Sequence, residues 1–162
     1  MCEVRRIRFT VPGRPVPAVR MTRGGKHVSE DRAQSTWARD RARRIERHLQ
    51  QKDDIGWEAA QAVRALNARM PMFEGDVRVS MRFYIARTRG SLPDLNNLVK
   101  LAEDALNGIV WQDDIQVAQY GEMERIVCSR AEQRTEIEVE ELPGEPSARP
   151  KATKGKRPGS RR

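Results

Sequence analysis

The feature that most constrains the fold is a run in the middle of the chain, residues 77–85, in which apolar and polar side chains alternate. The apolar members are Val77, Val79, Met81, Phe83 and Ile85. Because successive side chains of a strand point to opposite faces, this pattern predicts a β-strand with one buried face. The fold must therefore contain a sheet that is covered on one side.

The other segments predict an α/β domain with a small mixed sheet flanked by helices. Further strands are predicted at residues 4–11, 115–128 and 133–142. A first helix is predicted to start near Asp31 or Ser35, and further helices are predicted over residues 56–68 and over residues 94–107 before Gly108. The predicted element order is β-α-α-β-α-β-β.

The inward faces of the first two helices are assigned from their apolar stripes. The first stripe consists of Trp37, Ala38, Ile45 and Leu49, and the second of Trp57, Ala60, Val63 and Leu66. Several arginines of the first helix lie mostly off its stripe: Arg39, Arg43, Arg44 and Arg47.

Length and charge predict one domain with a basic tail. The chain has 162 residues, a length that suits one folded domain, which we assign to residues 1–142. Its net charge is +8. Residues 143–162 contain four prolines, three glycines and no large apolar side chain, so we expect a disordered basic tail. A basic front, an acidic middle and a basic tail favour a polyanion partner together with a cation site.

Several classes of protein are disfavoured. No apolar run approaches the roughly 18 residues needed to span a bilayer, and no apolar signal segment follows the N-terminal charges, so we expect a cytoplasmic protein without a membrane partner. Two cysteines and two histidines are too few for a disulfide scaffold or a Cys- or His-built zinc site. Glycine-rich phosphate-binding motifs are absent, so no nucleotide cofactor is expected.

The block that suggests chemistry runs from Asp94 to Asp114. Asp94 follows Pro93 and is expected at a helix N-cap, and Asn96 and Lys100 lie four residues apart on one face. The turn Asp113-Asp114 could return to the same place. Oxygen ligands beside a lysine make a plausible Mg²⁺ site for phosphodiester hydrolysis. Asp104, one turn past Lys100, is assigned an ion pair with it.

This block resembles the RusA-type Holliday-junction resolvases, which are small endodeoxyribonucleases of bacteria and phages. The matching residues are Asp94-Leu95-Asn96-Asn97, Lys100, Asp104-Ala105-Leu106 and Trp111-Gln112-Asp113-Asp114. The resemblance implies a homodimer that cuts branched, four-way DNA with Mg²⁺, for which Mn²⁺ can substitute. It also implies that Asp94, position 96 and Asp114 bind metal, with Asp113 as a further candidate ligand, and that Lys100 is catalytic.

Position 96 departs from the family pattern, which has Asp where this chain has Asn96. An amide oxygen can still bind Mg²⁺, but one negative charge is lost. Either the Asn was introduced to abolish activity, or it diverged naturally while Asp113 or Asp104 compensates. The alternative function is a DNA-junction binding protein of the same fold that does not cut.

A cationic segment follows the first strand and carries Arg14, Arg20, Arg23 and Lys26 without an acidic residue. Such a cluster predicts contacts with DNA phosphates. A second rival function is a general basic chromatin- or RNA-associated protein, which would not prefer four-way junctions to linear duplex.

Overall fold

The fold is a four-stranded sheet with two helices. A computed structural model describes residues 5–19 and 36–144. In chain order these contain β1 (Arg6–Pro12), α1 (Thr36–Ala65), β2 (Val77–Ala86), α2 (Leu95–Leu106), a 3₁₀ turn (Asp114–Gln116), β3 (Val117–Cys128), a second 3₁₀ turn (Arg130–Glu132) and β4 (Arg134–Glu141). The α/β class and the mixed sheet are confirmed, whereas the described residues hold one helix fewer than predicted.

The strand order in the sheet is β1-β4-β2-β3. The strand β4 pairs antiparallel with both β1 and β2, and β2 pairs parallel with β3. The long strand β2 is therefore central, and β3 lies at one edge. Because β2 and β3 are parallel, the chain crosses between them through α2 and the turn at Asp113-Asp114.

One face of the sheet is covered by the helices, as the alternation in β2 predicts. Val77, Val79, Met81, Phe83 and Ile85 are all buried. The same core contains apolar residues of the other elements, among them Ile7, Phe9, Val11, Leu98, Leu101, Leu106, Trp111, Ile137 and Val139. Burial of these side chains is the main favourable contribution to folding.

The prediction of two separate helices before β2 is wrong, because α1 is a single helix of 30 residues. Its buried residues are His48, Gln51, Ile55, Ala59 and Val63, spaced three or four apart. Leu49, Trp57 and Leu66, which the sequence pattern assigned to inward faces, are instead 50%, 61% and 53% exposed.

Gly56 does not interrupt α1 because the helix packs against the end of α2 there. A Cβ atom at Gly56 would lie 3.4 Å from Ile109 Cδ1 and 3.7 Å from the Ala105 carbonyl oxygen. Glycine inside a helix costs roughly 1 kcal/mol relative to alanine. Contact between the two helices offsets that cost, so the glycine marks a packing site and not a boundary.

The edge strand β3 contains two irregularities near its start. Its pairing with β2 shifts between Val77 and Arg78 and again between Val79 and Met81. Each shift places one extra residue in β3, which moves the alternation of its side chains by one position. As a result Tyr120 and Met123 are the partners of Val79 and Met81 and share their helix-covered face.

No helix in the described ranges is long and apolar enough to cross a membrane. The predicted basic tail lies outside the described residues apart from its first two positions, 143 and 144. The start of the first predicted strand, at residue 4, also lies outside them.

Candidate functional site

The N-terminal half of α2 and its cap hold three of the predicted site residues, Asp94, Asn96 and Lys100. Asp94 is the N-cap, with φ −67° and ψ 132°, and its side chain accepts a hydrogen bond from the Asn96 backbone N–H over 3.1 Å. Pro93 disfavours a helical conformation for Leu92 and suits the entry into a helix. The predicted helix start is therefore confirmed, and Asp94 performs a structural role whether or not it also binds a ligand.

Asn96 and Lys100 are exposed on one face of α2. The opposite face is buried through Leu98, Leu101, Ala102, Ala105 and Leu106, and this burial fixes the rotation of the helix. Residues four apart lie on the same side of a helix, and Glu103 continues this stripe one turn further. The exposed stripe thus presents an amide, an ammonium and a carboxylate in succession.

The turn at Asp113-Asp114 is held by a buried glutamine that the sequence analysis missed. Gln116 is 2% exposed. Its Oε1 accepts hydrogen bonds from the backbone N–H groups of Gln112 (2.8 Å) and Asp113 (3.2 Å). Its Nε2 donates to the carbonyl oxygens of Phe73 (3.2 Å) and Gly75 (2.9 Å).

These four bonds anchor the turn to the segment before β2. Asp113 in addition accepts a bond from the Ile115 backbone N–H over 3.2 Å, and its side chain and backbone form a capping box with Gln116. The spacing Asp-x-x-Gln is the usual sequence signal for such a box and could have identified this glutamine.

Asp114 belongs to an acidic group formed by Glu103, Asp104, Asp113 and Asp114. A hydrogen bond with Asp113 raises the pKa of Asp114, and so do partial burial and the negative charges of Asp113 and Asp104. Burial raises the pKa of Glu103 as well, with smaller contributions from the charges of Asp114 and Asp104. Like charges therefore oppose one another here, and a bound cation would relieve the repulsion.

The irregular strand β3 brings Tyr120 to this group. The Tyr120 hydroxyl donates to Glu103 Oε1 over 2.6 Å. That bond, together with burial and the nearby carboxylates, raises the pKa of Tyr120 to about 12. The hydroxyl therefore stays protonated at neutral pH and holds Glu103 on the α2 surface.

A second residue that the sequence analysis missed is Arg125, in the later part of β3. Its Nη1 donates to the Pro93 carbonyl oxygen over 2.6 Å. The exposed guanidinium therefore lies beside the turn that carries Asp94. Nothing in the local sequence marks it, because Arg125 and Pro93 meet only when β3 packs beside α2.

The predicted cationic segment starts at the end of β2, passes α2 at Ala18 and continues past the described residues. Arg14 is partly buried and donates to the Ala86 carbonyl oxygen (3.0 Å) and to Gln133 Oε1 (3.2 Å). The backbone N–H of Ala18 donates to the Asn97 carbonyl oxygen over 2.8 Å. Arg20, Arg23 and Lys26 lie outside the described residues.

The site residues fall into two sets along α2. Asp94, Asn96 and Lys100 belong to its N-terminal half, and Asp113 and Asp114 interact with carboxylates of its C-terminal half. About 15 Å of helix separates Asp94 from Asp104. The ion pair predicted between Lys100 and Asp104 is not among those formed by the described residues.

The donor atoms suit a hard divalent cation, since they are carboxylate and amide oxygens. In the part of the chain that the structure describes, no three Asp, Glu, His or Cys side chains come close enough to hold a metal ion.

The fold and these residues define a small α/β protein whose oxygen donors and lysine lie on and around one exposed helix. Residues 12–140 match the family model described as endodeoxyribonuclease RusA. The chain therefore belongs to the RusA endodeoxyribonuclease family, as its motifs indicate. No curated protein matches the chain at a significant level.

Proposed function

We propose that the protein is a structure-selective endonuclease that resolves four-way DNA junctions. Family membership supports nuclease action on branched DNA. The observation that carries the proposal for this chain is the exposed N-terminal half of α2, which bears Asp94, Asn96 and Lys100 and has Arg125 bonded to its entry at Pro93. Oxygen ligands next to cations are what phosphodiester hydrolysis requires.

The cationic side chains would bind phosphate groups of the DNA, and the carboxylate of Asp94 would supply oxygen ligands. Lys100 is exposed on α2 and would place its ammonium against a phosphate oxygen, where it stabilises developing negative charge. Arg125 would bind a neighbouring phosphate while its bond to Pro93 keeps the Asp94 turn in place. Asp94 is oriented by its bond to the Asn96 N–H and keeps further oxygen lone pairs available.

Mg²⁺, with Mn²⁺ as a substitute, is the proposed cofactor. The ligands that the family pattern predicts are Asp94, Asn96 and Asp114, with Asp113 as a further one, and the ion would supply a Lewis acid at the phosphate. Because Asp114 lies with Glu103 and Asp104 toward the other end of α2, binding of one ion by all of these side chains would require the turn at Asp113-Asp114 to move toward Asp94. The oxygen chemistry of these side chains and the mutual repulsion within the acidic group support a cation here.

A homodimer and a cytoplasmic location belong to the same proposal. A symmetric junction needs two cuts, and a two-fold axis supplies two equivalent sites. The expected substrate, whether phage or chromosomal DNA, lies in the bacterial cell.

Asn96 favours a second candidate function, a protein of this fold that binds junctions without cutting them. Loss of one carboxylate lowers the charge available to hold a divalent cation, while the cationic side chains that bind DNA remain. If Asn96 was introduced to abolish activity, the unchanged chain should not cut DNA. If Asn96 diverged naturally and Asp113 or Asp104 compensates, the unchanged chain should cut.

Junction cleavage by matched variants tests the proposal. Asn96→Asp restores the missing carboxylate, and Asn97→Asp adds the same charge at the next, also exposed position. With Mg²⁺ or Mn²⁺, Asn96→Asp should cut a four-way junction at least tenfold faster than the unchanged chain, and Lys100→Gln in that background should abolish the gain. If Asn96→Asp binds the junction tightly and still does not cut it, the nuclease proposal fails and the binding function stands.

A further inference from the structure

The first twelve residues of α1 form an Arg-rich segment that the candidate site does not use. Residues 36–47 contain five arginines and two acidic residues: Arg39, Arg41, Arg43, Arg44, Arg47, Asp40 and Glu46. Within this segment none of the side chains that the structure describes is buried, and His48 is the first of the described α1 side chains to be buried. The packing of the core therefore does not explain the composition of the segment.

Helix stability does not explain it either. Arg43 and Arg47 lie four residues apart, so their side chains emerge from the same side of α1 about 5–6 Å apart at Cβ. Like charges at this spacing destabilise a helix by roughly 0.2–0.5 kcal/mol. Arg43, Arg44 and Arg47 are exposed and take part in none of the ion pairs between described residues.

The uncovered face of the sheet provides a contrast. It is also rich in arginine, but its charges are matched by glutamates on the same or a neighbouring strand. Arg6 pairs with Glu138 at 3.8 Å, Arg134 pairs with Glu136 at 2.8 Å, and Arg82 pairs with Glu122 and Glu124. The positive charges of that face are therefore paired with glutamates of the same sheet, whereas the Arg-rich segment carries an excess of positive charge.

The base of the Arg-rich segment is connected to the candidate site. The Val19 backbone N–H donates to His48 Nδ1 over 3.1 Å, at the point where the segment ends. The preceding residue, Ala18, bonds to the Asn97 carbonyl oxygen of α2. The C-terminal end of the segment thus lies near the first turn of α2, and the segment extends back from there along α1 for about 18 Å.

We propose that the Arg-rich segment binds the phosphate backbone of a duplex arm of the DNA substrate, through Arg43, Arg44 and Arg47. The inference rests on the proposed function for its DNA substrate. Exposed, uncompensated guanidinium groups along one helix are suited to phosphates and give contacts that do not depend on base sequence. Their role would be to hold a duplex arm while the site on α2 contacts the branch point.

Two matched double variants test this surface. Arg43→Ala/Arg47→Ala removes two charges from the segment, and Arg64→Ala/Arg69→Ala removes two from exposed positions at and beyond the other end of α1. Alanine is the most favourable helix residue, so neither pair should disturb α1, and circular dichroism checks this. Binding of a fluorescent four-way junction and of linear duplex is measured by anisotropy over a range of KCl concentrations.

The Arg43/Arg47 variant should bind both DNAs on the order of tenfold more weakly near 0.1 M salt. The slope of log affinity against log salt should become shallower by about 1.8, since each lost phosphate contact contributes about 0.9. The control pair should keep the wild-type slope, and Arg43→Lys/Arg47→Lys should keep most of the affinity because the charge is retained.

Equal losses in the two alanine variants would overturn the inference, because only net charge would then matter. A change in sedimentation that is specific to the Arg43/Arg47 variant would also overturn it and assign the segment to contact with a second copy. The inference would also be overturned if the wild-type protein bound phosphatidylserine vesicles through this segment and did not bind DNA through it. If wild-type protein binds linear duplex as tightly as junctions, junction selectivity fails while this inference survives; if it binds no DNA, both fail.

Discussion

Asp94 Oδ1 accepts a hydrogen bond from the backbone N–H of Asn96 over 3.1 Å, which joins two predicted metal ligands within one helix cap. The bond gives Asp94 a structural role that can be separated from its chemistry. Asn caps helices about as well as Asp, whereas Ala does not. Asp94→Asn should therefore change the free energy of unfolding by less than about 0.5 kcal/mol, and Asp94→Ala should lower it by about 1 kcal/mol.

In the Asn96→Asp background both variants should lose junction cleavage, since neither retains the carboxylate. Urea unfolding and a cleavage assay on the same preparations separate the two roles. Full activity in Asp94→Asn would show that Asp94 is a cap alone.

The buried side chain of Gln116 predicts a large loss of stability on substitution. Gln116→Leu leaves two N–H donors and two carbonyl acceptors without their partner, so the free energy of unfolding should fall by about 2–4 kcal/mol. Gln119→Leu, an exposed position on β3, serves as the control and should change it by less than about 0.5 kcal/mol. Equal effects of the two changes in urea unfolding would contradict the anchoring role.

The acidic group predicts a pH-dependent gain in stability from removing a charge. The pKa of Asp114 is raised in the folded protein, chiefly by its hydrogen bond with Asp113, so its contribution to stability is present in acid and is lost as pH rises through the folded pKa. Asp114→Asn should therefore raise the free energy of unfolding at pH 7 by about 0.5 kcal/mol, a size typical of exposed charges.

That gain should disappear as the pH is lowered below the ordinary aspartate pKa near 3.8, where Asp114 is protonated in both states. Asp53→Asn, at an exposed position of α1, should show no such gain. Thermal or urea unfolding at several pH values measures the difference, and a gain that persists in acid would exclude charge repulsion as its cause.

Gly121 predicts a steric coupling across the β2–β3 pair. A Cβ atom at this position would lie 2.2 Å from Ser80 Oγ, which is far closer than real contacts allow. Gly121→Ala should lower the free energy of unfolding by about 1–3 kcal/mol. Adding Ser80→Ala removes the clashing oxygen, so a double-mutant cycle should show a favourable coupling of about 1 kcal/mol. Strictly additive effects would place the cost of Gly121→Ala elsewhere.

The features that could be predicted from the sequence are those set by neighbours along the chain. The alternation in β2 and the cap at Asp94 follow from local periodicity and from Pro93, and the structure has both. The end of α2 also follows locally: the helix stops at Leu106, and Gly108 has φ +80°.

The features that could not be predicted depend on which surfaces meet in the fold. The apolar pattern of α1 predicts that Trp57, Val63 and Leu66 face inward, but of these only Val63 is buried, together with Ala59, which the pattern did not select. Which side of α1 is buried depends on how the helix packs against β1 and α2, and the pattern of α1 alone does not specify that. The contact of Arg125 with Pro93 could not be predicted either, because it forms only when β3 packs beside α2.

The sequence predicted which residues belong to the candidate site, but not the positions of all of them relative to one another. Asp94, Asn96 and Lys100 share one helix, so their proximity follows from sequence spacing. The position of Asp114 depends on a turn that Gln116 ties to residues 73 and 75, far away in sequence. Metal binding, the dimer and the roles of the basic residues stay predictions.

The two pairing shifts in β3 have a consequence for solubility. An unpaired strand at the edge of a sheet can recruit a strand from another molecule and begin aggregation. The extra residues in β3 interrupt the regular spacing of its outward-facing N–H and C=O groups, and Glu122, Glu124 and Arg125 place charges along the same stretch. The irregularity that carries Tyr120 to α2 therefore also makes this edge a poor template for the growth of intermolecular sheets.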